Sequence, residues 1–247
     1  AGALDAALPI DVIPTFLGAH TVAPEFAGDA EGYIDYVVDT MLPACAPDAR
    51  FCDVFCDEGV FTVEQARRVL LAGRKHALEP RLHANQLAHS GGAQLAAELG
   101  AISADHLDHI DADDIAALQA SGTVAVLLPG VSLSLQLPQA QGQELWNGGV
   151  TVALATDCNP GTSYIETMPF VVALACLEMG LSPEQATWSA TRGGALALGL
   201  ADRGYLAPGA VGDLVVLRHS SYIHLAYRPD APPVGSVVKA GELVVSR

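Results

Sequence analysis

Basic residues are scarce in this sequence. The 247 residues include 12 Lys and Arg against 28 Asp and Glu, which gives a formal net charge of −16 at pH 7. Proteins that bind nucleic acid without regard to its sequence use clustered Lys and Arg to displace counterions from the phosphates. Because no basic stripe occurs along the chain, the composition argues against a nucleic-acid-binding protein.

Hydrophobic runs of membrane-spanning length are also missing. Apolar runs such as residues 69–72 and 124–128 are far shorter than the roughly 20 residues that a spanning helix needs. The odd number of cysteines, five, fits a reducing compartment, and no signal peptide opens the chain. We therefore expect a cytoplasmic protein that makes no contact with a membrane.

The sequence does contain an alternation of short apolar runs and longer amphipathic segments, which predicts parallel strands joined by helical crossovers. Strands are predicted at residues 11–17, 51–55, 81–84, 102–106, 123–128 and 151–156. Helices are predicted at residues 31–42, 62–76, 91–99, 112–120, 139–146, 165–178 and 183–198. Short strands at residues 213–217, 236–239 and 243–246 follow. We therefore expect a β/α domain over residues 1–200 and a small β domain over residues 201–247.

The number of β/α units suggests a barrel that is incomplete. A closed TIM-type barrel has eight such units, and about six are predicted here. The chain begins at Ala1, inside a helix-like pattern of Ala and Leu, so we expect a (β/α)8 barrel that lacks its N-terminal portion. An open doubly wound sheet is the alternative, but no Gly-x-Gly-x-x-Gly turn follows an early strand.

Polar side chains follow several of the predicted strands, at the end where the catalytic residues of parallel barrels lie. His20, His83 and His106 end three different strands, and Asp157 follows the sixth. Neutral imidazole and carboxylate are usual ligands of a catalytic Zn²⁺ or Fe²⁺, which leaves one position open for water. Bound water ionises near neutral pH and becomes a nucleophile. Together the residues predict a metal-dependent hydrolase, although a single histidine is more often structural.

Longer peptides around these residues carry a resemblance. They are TFLGAH (15–20), FCDEGVF (55–61), LHANQL (82–87), SADHL (103–107), VLLPG (126–130) and ATDCNPGT (155–162). Taken together, they resemble the imidazolonepropionase family of the amidohydrolase superfamily, over essentially the whole chain. The resemblance implies hydrolysis of the cyclic amide of 4-imidazolone-5-propanoate, a small-molecule substrate, to N-formimidoyl-L-glutamate in histidine degradation. It also implies one divalent metal, Zn²⁺ or Fe, a homodimer, and C-terminal strands that belong to a small β-sandwich.

The resemblance further implies a role for each matching residue. His83 and Asp157 match metal ligands, and His106 matches a catalytic histidine that polarises the substrate carbonyl or moves a proton. The positions that match substrate-binding residues are His20, Gln86, Asn159, Gly161 and Thr162. Because a Gln side chain cannot act as a base, we expect Asp157 to abstract the proton from water.

The chain departs from the family on its N-terminal side. Family members carry a His-x-His pair at the end of the first barrel strand, whereas no two of the eight histidines here are separated by one residue. Two alternatives therefore stay open: another cyclic amidohydrolase or deaminase of the same superfamily, and a catalytically inert truncated chain. No lysine ends the strand predicted at residues 51–55, which favours one metal over two.

Overall fold

A computed structural model of the chain describes residues 1–229 and 233–246. The strands in these residues are β1 (Thr15–Ala19), β2 (Phe51–Cys56), β3 (Glu79–Ala84), β4 (Ser103–His106), β5 (Val124–Leu127), β6 (Val152–Leu154), β7 (Leu214–Leu217), β8 (Val234–Lys239) and β9 (Glu242–Ser246). The α-helices are α1 (Gly2–Ala7), α2 (Ala30–Tyr36), α3 (Leu42–Cys45), α4 (Val63–Lys75), α5 (Gly92–Glu98), α6 (Ala112–Ser121), α7 (Pro129–Leu135), α8 (Gly142–Asn147), α9 (Met168–Glu178), α10 (Pro183–Trp188), α11 (Gly194–Ala197) and α12 (His224–Tyr227).

The order of strands in the larger sheet is β1-β2-β3-β4-β5-β6. A doubly wound sheet reverses its strand order at a switch point, and no such reversal occurs here. The order therefore confirms the predicted barrel-type succession of β/α units and contradicts the doubly wound alternative. The chain divides into two compact units, residues 1–125 and 126–247. The domain boundary expected at residue 200 stays a prediction.

Strands β1 to β4 of the first unit run parallel. Phe51–Cys56 pairs residue for residue with Glu79–Ala84, and Arg81–Ala84 pairs with Ser103–His106. Parallel neighbours need a crossover connection, and α4 and α5 supply the crossovers and pack against the strands that they join. The carboxyl ends of all four strands therefore lie along one edge of the sheet.

The core of the first unit lies where the sheet meets these helices. Val54 on β2, Leu82 on β3 and Leu70 on α4 are fully buried, and each such side chain contributes about 1.5–3 kcal/mol of transfer free energy. A Cβ atom added to Gly73 of α4 would lie 2.7 Å from the Cβ of Cys52. Glycine at this position thus allows α4 to pack closely on β2.

Capping boxes define where several helices begin. Thr62 and Gln65 form a capping box at the start of α4. Ser182 and Gln185 form a second box before α10, which starts with Pro183. Such boxes satisfy backbone N–H groups that lack a partner in the first helical turn. The predicted starting points of both helices are therefore confirmed.

Two predicted helices each contain a π-helical turn. The helix predicted at residues 31–42 consists of α2, a π turn at Val37–Met41, and α3. The helix predicted at residues 183–198 consists of α10, a π turn at Ser189–Gly193, and α11. Amphipathic periodicity does not distinguish a single π turn from a continuous α-helix.

The second unit contains the largest differences from the predicted elements. Helix α7 occupies Pro129–Leu135, where no helix was expected, and it begins with proline at a position that tolerates a missing N–H. Helix α8 begins at Gly142 instead of residue 139. The antiparallel sheet β7-β8-β9 matches the three short strands predicted after residue 200.

Helix α9 is the most apolar of the longer helices in the second unit, but it has only 11 residues. About 20 are required to cross the hydrocarbon core of a bilayer. Within residues 1–229 and 233–246, no helix has the length and apolarity that crossing a membrane requires.

Candidate active site

Three histidines cluster at the carboxyl edge of the first unit's sheet. The ring centroids of His20 and His83 are 5.7 Å apart, and those of His83 and His106 are 5.2 Å apart. Phe55 of β2 lies against this group, 5.4 Å from His20 and 5.6 Å from His83 between ring centroids. Parallel register thus brings together three residues that span 86 positions of the chain, from His20 to His106.

His83 contacts a buried carboxylate that strand-end placement does not reveal. Its Nδ1 lies 3.0 Å from Oδ1 of Asp53, whose side chain is only 5% exposed. Asp53 belongs to β2, where it pairs with Arg81, and Phe55 pairs with His83. The signal in the sequence was a charged residue inside the otherwise apolar strand FCDVFC, because a buried carboxylate requires a partner.

A second carboxylate, Asp105, completes a compact polar group. One ligand atom from each of Asp53, His83 and Asp105 lies within 4.8 Å of the others. Ser103 donates a hydrogen bond of 2.8 Å to Asp105, and Arg81 Nε lies 3.9 Å from its other oxygen. Burial raises the pKa of Asp105, while the positive charge of Arg81 acts in the opposite direction. The group therefore contains two buried carboxyl groups, Asp53 and Asp105, beside one guanidinium, that of Arg81.

His106 is the most deeply buried of the three histidines, at 2% exposure. Burial, followed by the neighbouring His83 and His20, lowers the pKa of His106 well below its ordinary value, so the ring is neutral at pH 7. Its buried Nδ1 has no hydrogen-bond partner among the described residues. A buried polar atom without a partner is costly, and its position beside two further imidazoles is suited to a ligand.

The backbone at the end of β4 is strained. His106 has φ of 76° and Leu107 has φ of 61°, in the left-handed region that residues with a side chain seldom adopt. Such conformations cost about 1–3 kcal/mol each and occur often at functional sites. The turn gives His106 a direction that regular strand geometry would not.

His20, directly after β1, is more exposed than the other two histidines. Burial and the neighbouring His83 lower the pKa of His20, and Asp53 acts in the opposite direction. Its accessible ring suits the substrate contact that was predicted for it.

Gln86 lies in a loop that is organised by Asp57. This carboxylate, 4% exposed, accepts hydrogen bonds from the backbone N–H groups of Gln86, Leu87 and Ala88 at 2.7, 2.9 and 3.2 Å. It also accepts one from Glu58 at 2.8 Å. Gln86 itself is buried. The loop after β3 therefore has a fixed conformation that begins directly beyond His83.

In the second unit, Asp157 follows β6 with φ of 46°. The amide of Asn159 shapes the loop beyond it: Oδ1 accepts from the N–H groups of Gly161 and Thr162, both at 2.8 Å, and Nδ2 donates to the Asp157 carbonyl at 2.7 Å. Three residues predicted to bind substrate thus form one turn. Their contact with substrate, like the convergence of Asp157 on the histidines, stays a prediction.

The residues of the first unit fit a divalent metal. Imidazole nitrogens beside buried carboxylates are the donor set that Zn²⁺ and Fe²⁺ prefer. Metal-binding histidines almost always engage a carboxylate or carbonyl through the other ring nitrogen, and His83 does so through Nδ1. His83 would then hold the metal through Nε2.

Comparison with known proteins places this chain in a class. A family model described as "Amidohydrolase family" matches residues 49–245. The chain therefore belongs to the amidohydrolase family.

Two curated relatives are similar to this chain over most of its length. The chain is 51% identical over 231 residues to the imidazolonepropionase of Streptomyces griseus, covering 94% of this chain and 59% of that protein. It is 52% identical over 227 residues to the imidazolonepropionase of Streptomyces coelicolor, covering 92% of this chain and 58% of that protein. The chain thus spans less than two thirds of the length of these curated relatives.

A solved structure of low sequence identity shows the same fold. An adenosine deaminase from Xanthomonas campestris with bound zinc superposes with a TM-score of 0.74 at 18% identity. The superposition covers 99% of this chain and 63% of that one.

Proposed function

We propose that this chain carries the metal- and substrate-binding part of a hydrolase that opens the cyclic amide of 4-imidazolone-5-propanoate to N-formimidoyl-L-glutamate. The observation that carries the proposal is the cluster of His20, His83 and His106 at one sheet edge. It occurs in a chain about half identical to imidazolonepropionases. The proposed reaction is a step of histidine degradation.

In this proposal His83 and Asp157 hold the metal, either Zn²⁺ or Fe, which when bound supplies an activated water at neutral pH. Asp157 takes the proton from that water. His106, neutral at pH 7 because of its lowered pKa, hydrogen-bonds the substrate carbonyl or passes the proton on. A neutral imidazole has one donor nitrogen, which can bond the carbonyl, and one acceptor nitrogen, which can take up a proton.

The remaining site residues bind and orient the substrate. Gln86 hydrogen-bonds the substrate from a loop that Asp57 holds in place, and its amide cannot accept a proton as a base. His20 contacts the substrate from the exposed side of the cluster. In the second unit, Asn159, Gly161 and Thr162 supply the other predicted contacts from their shared turn.

The proposal also covers the binding partner, the cellular location, the oligomeric state and the domains of the protein. The partner is a small molecule, and the excess of 28 acidic over 12 basic residues argues against nucleic acid. We further propose that the protein acts in the cytoplasm as a homodimer. Residues 1–200 would form the catalytic β/α domain, and residues 201–247 the C-terminal part of a β-sandwich.

Two matched variants test the proposed roles. In the chain loaded with Zn²⁺ or Fe²⁺, Asp157→Asn should lower the rate of ring opening by about 10²–10⁴-fold, because a proton acceptor that is also a proposed metal ligand is lost. Gln86→Glu should retain turnover, since the side chain keeps its size and its acceptor oxygen. Chromatographic detection of N-formimidoyl-L-glutamate measures the rate.

Other results would redirect the assignment. Full activity of Asp157→Asn would contradict the role of this carboxylate. Release of ammonia from an amino-substituted ring in place of amide hydrolysis would favour a deaminase. Neither bound metal nor turnover in the unaltered chain would favour an inert chain.

A further inference from the structure

The contact between His83 and Asp53 bears on which nitrogen of the His83 ring carries the proton. Oδ1 of Asp53 lies 3.0 Å from Nδ1 of His83, and the side chains are 5% and 15% exposed. An ionised carboxylate only accepts hydrogen bonds. The proton of this bond therefore belongs to Nδ1, and in a neutral ring the lone pair then lies on Nε2.

Asp53, and not the neighbouring Asp105, is the carboxylate that orients the ring. Ser103 donates to Asp105 at 2.8 Å, and the guanidinium of Arg81 lies beside the other oxygen of Asp105. The two oxygens of Asp105 therefore lie beside Ser103 of β4 and Arg81 of β3. Asp53 instead presents its oxygen at hydrogen-bond distance from the imidazole.

Asp53 lies within β2, which pairs with β3 in unbroken register from Phe51 to Cys56. On the other side of β2, Cys52 and Val54 pair with β1, whose register shifts between Phe16 and Ala19. The register partner of Asp53 on β3 is Arg81, two residues before His83. Continuous pairing of β2 with β3 therefore sets the backbone of Asp53 relative to that of His83, as a group that orients a metal ligand requires.

We propose that Asp53 is a positioning residue that holds His83 in the tautomer protonated at Nδ1, so that Nε2 is directed to a divalent metal. The metal part of this inference rests on the proposed function, in which His83 is a metal ligand. The tautomer part stands on the structure of the first unit. Carboxylate–histidine–metal arrangements of this kind affect metal affinity by about 10–100-fold.

The first experiment reads the tautomer in the metal-free chain. In a sample labelled with ¹⁵N-histidine, at about pH 8 where an unperturbed imidazole is neutral, long-range ¹H–¹⁵N correlations identify the protonated ring nitrogen. His83→Gln assigns the signal. We expect Nδ1–H in the unaltered chain and a shift toward Nε2–H in Asp53→Asn, because an amide can donate as well as accept. An Nε2–H ring in the unaltered chain would overturn the proposal.

Asp114→Asn is the matched control. Asp114 is likewise a buried carboxylate bonded to a histidine, at 2.8 Å from His89 Nε2, so the same substitution removes an equal charge. We expect it to leave the tautomer of His83 unchanged. A change at His83 equal to that in Asp53→Asn would assign the effect to general loosening of the fold.

The second experiment measures Zn²⁺ affinity by competition with a chromophoric chelator. Asp53→Asn should weaken Zn²⁺ binding by about 10–100-fold, and Asp114→Asn by no more than about twofold, since its carboxylate does not contact His83. The two readouts separate the hypotheses. Expected tautomers without any Zn²⁺ binding would remove the proposed metal function and leave the orienting contact intact, whereas equal affinity in Asp53→Asn would refute its positioning role.

Discussion

Two imidazole–carboxylate pairs in the first unit have nearly the same N···O distance and different surroundings. His83 lies 3.0 Å from Asp53, and His89 lies 2.8 Å from Asp114. Both carboxylates are buried, at 5% and 0% exposure, but His83 is 15% exposed and His89 is 52% exposed. Each pair also belongs to a group of three residues that could hold a metal ion.

The difference lies in what else the carboxylate does. Asp114 accepts from Gln94 at 2.9 Å, from Asn85 at 3.4 Å and from the backbone N–H of Asp111 at 3.3 Å, within the capping box of α6. His89 is thus one donor among several to a helix cap. His83 instead shares its surroundings with His20 and His106. A similar N···O distance therefore accompanies a helix cap in one place and a candidate site in the other.

The largest expected effect comes from removing the carboxylate of the His89–Asp114 pair. Asp114→Ala removes a buried acceptor that serves four donors and the cap of α6, so it should lower the free energy of unfolding by about 3 kcal/mol. Urea denaturation measures the loss. A change below about 1 kcal/mol would mean that water replaces these bonds and that the network contributes little.

A smaller effect comes from the pH dependence of the functional cluster. Because the pKa of His106 is lowered in the fold, the unfolded chain binds its proton more readily, and stability falls as pH drops below about 6.5. Between about pH 8 and about pH 5.5 the unaltered chain should lose about 1 kcal/mol more than His106→Gln, since one pH unit corresponds to about 1.4 kcal/mol.

The measurement is chemical denaturation of both chains at the two pH values. Comparing the variants cancels the contributions of other titrating groups to first order. Equal losses in the two chains would show that His106 titrates normally and is not held neutral by its surroundings.

The smallest expected effect concerns His89, the histidine of the pair that belongs to the helix cap. His89→Gln should lower the free energy of unfolding by only about 0.5 kcal/mol, because the ring is half exposed and Asp114 keeps its other donors. Zn²⁺ affinity should stay unchanged in the chelator competition. A tenfold loss of affinity would show instead that His89, Asp111 and Asp114 bind metal.

Much of the fold was predictable because its signals are local. Period-two and period-3.6 patterns located the strands of the larger sheet, and the capping boxes at Thr62 and Ser182 marked helix starts. Helix α7 was missed because its alternating apolar residues suit a strand as well as a helix. Helix α12, at His224–Tyr227, is a single turn too short for periodicity to detect.

The candidate site was predictable only in part. Strand-end placement pointed to His20, His83 and His106, which the structure brings together. It did not point to Asp53 as the partner of His83, since inside a strand a carboxylate shows no sign of the side chain that it will meet. Nor did strand-end placement show that Asp57 accepts hydrogen bonds from four backbone N–H groups and so supports the loop that carries Gln86.

By itself the sequence determined the succession of β/α units, the acidic charge and the residue types available for chemistry, because these depend on composition and on neighbours along the chain. Only the tertiary structure decided which nitrogen of His83 meets a carboxylate and that His106 is buried without a partner. It also decided that the chain turns through left-handed conformations at the end of β4. The reason is physical: tautomer, desolvation and strain arise from groups that are distant in sequence and meet only when parallel strands align in register.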